Sequence, residues 1–146
     1  MSPPKTNDEF RPGLVDTLEA KTLADFALTV RKSDPSFEGS ESLTCIAELP
    51  PVYGSKNMVF SITFSDGARW ALRIPFPPYS ELMEERMRAD IATMRLIQTR
   101  TELPIPKIHA ALPTVDSPLG VPFILMDWAN GVRLEDVWYD RKWRTE

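Results

Sequence analysis

One cysteine and one histidine are all that this 146-residue chain offers of two residue types that anchor much protein chemistry. Cys45 alone cannot form an internal disulfide, which fits a reducing compartment. His109 alone leaves no Cys/His cluster for zinc and gives little support to a Ser-His-Asp hydrolase, so it reads as an ordinary surface or loop histidine. Long apolar runs are missing too: no stretch reaches the roughly 18 residues that a membrane helix needs. The opening MSPPKTNDEF is polar and carries prolines, so no secretory signal is expected and the chain is expected to be cytoplasmic. Positive charge is in deficit, with 17 Lys and Arg against 21 Asp and Glu and a net charge of -4. That balance gives no footprint for nucleic acid or an anionic membrane surface, and neither is expected as a partner. What remains is a soluble globular balance, 42% hydrophobic and 26% charged, on a length that suits one domain with its own core.

The pattern along the chain divides it. Residues 1–13 carry prolines and no periodicity and read as a mobile tail. From Leu14 to about Lys32, the residues Leu23, Phe26, Ala27 and Val30 recur at helical spacing, giving an N-terminal helix with one apolar stripe to dock. SDPSFEGSES at 33–42 is a loop by composition. Strands are expected at LTCIAELP (43–50), at MVFSITF (58–64), where Phe60, Ile62 and Phe64 alternate, and at ARWALRIP (68–75) after the turn SDG. Residues 80–100 form a second helix, free of Gly and Pro. An extended LPIPKI and the apolar strand VPFILMDW at 121–128 follow. The expected fold is α+β: an antiparallel sheet of about five strands with one packed helix, plus the N-terminal helix.

Two local features carry chemistry. In ARWALRIPFP, Trp70, Leu72 and Ile74 share one face of a strand and leave Arg73 on the other. On the following helix Met83, Met87, Asp90, Met94 and Ile97 stand at spacings of 4, 3, 4 and 3, a stripe with one carboxylate in it. A buried carboxylate needs a cation, so the sequence predicts an Arg73–Asp90 pair. Such a pair is either purely structural or holds the guanidinium toward an anion such as phosphate. The connection PVYGSKNM contains Gly54, Ser55 and Asn57, which make either a simple turn or a loop whose amides face a ligand.

Taken in order, a Gly-containing hairpin, a cation on the next strand and a carboxylate on the next helix resemble the N-terminal lobe of the aminoglycoside phosphotransferase and choline kinase-like family, in its fungal branch. YGSKNMVFSITFSDGARWALRIPFP, RADIATMRLIQTRTELPIPKI and LGVPFILMDWANGVRLEDVW carry the resemblance over residues 43–138. It implies a nucleotide-covering loop at 54–58, Arg73 on the ATP phosphates, and Asp90 as its pairing acid, where the family usually has Glu. It implies an inter-lobe hinge at 126–131, with Met126 backing adenine and the Asp127 and Ala129 backbone meeting its edge. ATP is then the cofactor, with magnesium only where a C-terminal lobe supplies the ligands, and 139–146 begins that lobe. The family's HGD-type catalytic loop is absent, since the single histidine precedes the hinge. The resemblance therefore implies a nucleotide-binding lobe that is inactive alone, with no catalytic or metal residue. The alternatives are a non-catalytic module for a nucleotide or a protein, with a further lobe or another protein over its exposed face, and a structural remnant without ligand. Trp138 and Trp143 lie where such a cover would sit, or pack back on the domain.

Overall fold

The computed structural model describes residues 18–140 and 142. The expected tail at 1–13, the start of the first helix at 14–17, and Trp143 with most of the expected C-lobe segment lie outside them. Among the described residues nine elements follow in order: α1 (Ala20–Ser33), β1 (Cys45–Ala47), β2 (Val52–Tyr53), β3 (Asn57–Phe64), β4 (Arg69–Pro75), α2 (Glu81–Arg100), β5 (Ile108–Leu112), β6 (Phe123–Asp127) and the single turn α3 (Leu134–Val137). The strands form one antiparallel sheet in the order β1-β3-β4-β6-β5, with β2 also paired to β3. The α+β expectation holds. The sheet has six strands rather than about five because Val52 and Tyr53, in the stretch read as a connection, pair with Val59 and Met58.

Alternation fixes the two faces. In β3, Met58, Phe60, Ile62 and Phe64 are buried on one side, and β4 adds Trp70, Leu72 and Ile74 to it. The turn between these strands needs a left-handed residue and has Gly67 there, at φ 92, giving its N–H to Phe64 O at 2.9 Å. Helix α1 docks on this face through Leu23, Ala24 and Ala27, with Phe26 edge-on to Phe123 at 5.1 Å. The lone thiol belongs to the same contact: Cys45 Sγ donates to Ala24 O at 3.0 Å, and burial pushes its pKa up.

Arg31 pins the end of α1. Its guanidinium donates to both carboxylate oxygens of Asp66 at 2.9 and 2.6 Å and lies 4.4 Å from the centre of the Phe64 ring. The Arg31 hydrogen bonds hold the Asp66 carboxyl below its ordinary value of 3.8. A depressed folded-state value contributes stability that is fully present above the unfolded value and is lost as pH falls through the folded one. The stability difference between the parent and Asp66→Asn, measured by urea unfolding, is therefore expected to be constant near neutrality and to shrink below about pH 4. A difference independent of pH down to about pH 3 would contradict this account.

On the other face lies α2. Its start is set by Ser80, whose hydroxyl accepts from Met83 N at 3.2 Å, and Ser80→Ala is expected to cost about 1 kcal/mol in chemical denaturation. Met87, Ile91, Ile108 and Ile124 form a second small core there, with Met94 and Met126 packed against it. This corrects the expected stripe. The buried line runs through Met87 and Ile91, while Asp90, one 100° step round the helix, is exposed. An exposed carboxylate needs no buried partner, so the reason for the Arg73–Asp90 pair falls away.

Candidate functional site

Between the β3–β4 end of the sheet and the first turns of α2 is a cleft of about 500 Å³. Arg73 enters it from β4, Ser55, Lys56 and Asn57 from the β2–β3 hairpin, and Arg86 and Asp90 from α2. Pro75 at the end of β4 and residues 76–78 of the connection to α2 form its apolar side, and Leu82 and Met83 complete it from the helix. That connection is held by Tyr79, whose hydroxyl donates to Pro75 O at 3.1 Å and whose pKa burial pushes up to about 12.

Four of the expected site residues, Ser55, Asn57, Arg73 and Asp90, thus line one cleft. They do so without the expected ion pair: among the described residues, no salt bridge involves Arg73 or Asp90. Arg73 is only half-buried, because α2 settles on β5 and leaves the sheet open where the guanidinium emerges. Gly54 stands beside the cleft, but its N–H is spent on Asn57 O at 2.8 Å and is not turned toward a ligand. The hairpin is in that respect a simple turn.

The remaining three expected residues do not line this cleft. Met126 is half-buried in the core under α2. Asp127 ends β6, with its N–H given to Lys107 O at 2.9 Å, and Ala129 is exposed in the segment that follows. That segment is tied back to β4: Trp128 N–H donates to Arg69 O at 3.2 Å, and the Arg69 guanidinium lies 3.8 Å from its ring centre. Trp138, downstream, is about half exposed at 47%.

Sequence reasoning missed Lys56 and Arg86. The signal for Arg86 was present, since Met83, Arg86, Met87 and Asp90 share a helix face at spacings of three and four. His109 also differs from its reading as a surface or loop residue. The register jumps from Ile108↔Met126 to Ala110↔Leu125, a bulge that leaves His109 as the extra residue of β5. The ring is 12% exposed, stacked on Trp70 at 3.8 Å and 13°, with Nε2 at 2.6 Å from Asp127 Oδ1. Its partners stand on β4 and β6, and contacts made across a sheet leave no local trace in sequence.

Charge marks the cleft. Several cations of the molecule sit against acids, as in Lys21–Asp25, Arg31–Asp66, Arg88–Glu84 and Arg133–Asp136. Around the cleft Lys56, Arg73 and Arg86 face one carboxylate, Asp90, and none of the four is in a salt bridge with a described residue. Three cations without a salt bridge to a described residue thus share one concavity beside a helix N-terminus, the chemistry that attracts an anion. Among the described residues no group of three His, Cys, Asp or Glu is placed to hold a metal, and no helix is long and apolar enough to cross a membrane.

No family model matches this chain, and no solved structure matches it. It is similar to altered inheritance of mitochondria protein 9, mitochondrial, of Yarrowia lipolytica, at 25% identity over 132 residues, 87% of this chain and 23% of that protein. The protein of the same name from Meyerozyma guilliermondii is 26% identical over 102 residues, 68% of this chain and 17% of that one. A subtelomeric hrmA-associated cluster protein of Aspergillus fumigatus is 29% identical over 85 residues, 58% of this chain and 16% of its own length. The chain spans less than a quarter of the curated relatives it matches. These relatives correct the resemblance to the aminoglycoside phosphotransferase and choline kinase-like family: they are named for mitochondrial inheritance or a gene cluster, none for a kinase or transferase, and no family model supports that assignment. The expected function, the nucleotide-binding lobe of a small-molecule kinase, is withdrawn with it. One feature that the resemblance implies, the ion pair between the strand cation Arg73 and the helix acid Asp90, also does not form. The cytoplasmic expectation is overturned as well, because the relatives' names place them in mitochondria.

Proposed function

We propose that this chain binds a phosphate-bearing small molecule in the cleft between β4 and α2, and that it does so in mitochondria. The observation that carries the first part is the convergence of Lys56, Arg73 and Arg86, unpaired within the described residues, on one concavity of about 500 Å³. That volume lies within the range of small-molecule sites, and phosphate is the anion whose geometry a guanidinium fork matches best. The second part rests on the names of the relatives.

Nucleotides are one source of such a phosphate, and ATP and inorganic pyrophosphate are the probes. Titration calorimetry is expected to show saturable binding of either with a dissociation constant below about 1 mM at low salt. The affinity should fall as ionic strength rises, because the cations are partly exposed. No saturable heat from either probe at low ionic strength would overturn the reading. For location, a fluorescent fusion of the full-length natural protein is expected to coincide with a mitochondrial stain, and a uniform cytosolic signal would reject it.

A further inference from the structure

The cleft has a second wall that phosphate alone does not explain. Beside the cations the cleft is lined by Phe76, Pro77, Pro78, Leu82 and Met83, an apolar strip running from the β4–α2 connection onto the first turn of the helix. Leu82 is 56% exposed, a large apolar side chain left at the mouth of the cleft. Scattered exposed apolar residues are ordinary on a protein surface. Here the exposed leucine borders a concavity that also holds three cations, so the lining asks for one ligand with two ends. Phe76 stacks against Tyr53 with ring centres 6.4 Å apart, and Met87 joins the cleft to the small core beneath α2.

Resting on the phosphate reading above, we propose that the ligand is an amphiphilic phosphate, taken up as a single molecule from solution. Its phosphate sits among Lys56, Arg73 and Arg86, and its apolar chain lies along the strip from Phe76 to Leu82. Charge complementarity sets the orientation: the phosphate end meets the cations, and Asp90, about one turn beyond Arg86 on the helix, repels a phosphate displaced toward it. The apolar end supplies affinity in proportion to the area it removes from water.

The test is a series of monoalkyl phosphates, all kept below their aggregation threshold, against pyrophosphate and ATP. Burial of a methylene in this half-open cleft is expected to tighten binding about twofold, and octyl phosphate is expected to bind an order of magnitude or more tighter than butyl phosphate. Leu82→Ser, at an exposed position that does not threaten the fold, is expected to shrink the octyl-to-butyl ratio several-fold. Octyl phosphate should also outcompete ATP. Equal affinity for butyl and octyl phosphate, or ATP binding tighter than octyl phosphate, overturns the amphiphile inference and leaves the phosphate reading standing. Binding to vesicles containing phosphatidic acid without binding to monomeric octyl phosphate overturns it in favour of a membrane surface. Failure of every phosphate to bind removes both.

Discussion

Arg73→Glu is expected to weaken pyrophosphate binding by about 100-fold or more while leaving the protein folded. The size follows from two changes at once. A charge-assisted hydrogen bond to phosphate, worth about 1.5–3 kcal/mol, is lost, and a carboxylate is set against the anion in its place. The fold should not notice. Arg73 is half-exposed, has no salt bridge with a described residue, and its strand is held by backbone pairing with Val59 on one side and Ile124 on the other. Asp90 supplies the opposite sign. An acid that oriented Arg73 would weaken binding when removed, as the ion-pair reading required. An exposed acid that only repels an incoming anion does the reverse, so Asp90→Asn is expected to tighten binding several-fold. Calorimetry on the two variants, with thermal unfolding as a control, reads both effects. Unchanged affinity in Arg73→Glu would remove the cleft from consideration.

The largest effect on stability is expected at Phe60. It is fully buried in β3, between Met58 and Ile62 on the face covered by α1, with Leu72 opposite in register. Truncation to alanine leaves a cavity in a close-packed layer and is expected to cost about 3–5 kcal/mol. For a domain with a total stability of about 5–15 kcal/mol, that moves the denaturant midpoint by a large fraction of its value. A loss below about 1 kcal/mol would mean that the α1-facing layer is loosely packed and can collapse into the space. Phe60→Ala should alter ligand affinity only through the fraction folded, since the cleft is on the other side of the sheet.

Particular elements show how far sequence reached. The docking stripe of α1 was legible because Leu23, Phe26, Ala27 and Val30 repeat at the helical period, and that face does meet the sheet. The meander of β3 and β4 was legible because alternation and the SDG turn are local signals. Four cleft residues, Ser55, Asn57, Arg73 and Asp90, were named because they lie in three consecutive elements that a short-range fold brings together. Their electrostatic relation was not legible. Whether Asp90 is buried depends on which helix face meets the sheet, and a stripe drawn at spacings of 4 and 3 has an uncertainty of about one residue step, 100° of helix. That step separates Ile91 in the core from Asp90 in solvent.

By itself, then, the chain's order of apolar and polar residues determined the elements and the α+β class, since periodicity and turn chemistry act over a few residues. It also determined that Arg73 would stand on the sheet face opposite Trp70, Leu72 and Ile74. Only the tertiary structure decided that this guanidinium meets an open cleft instead of an acid, that Arg86 and Lys56 join it, and that a bulge stacks His109 on Trp70 beside Asp127. Those outcomes depend on how far a helix settles onto a sheet and where a strand slips register. Both are fixed by packing among residues distant in sequence, which no local pattern records.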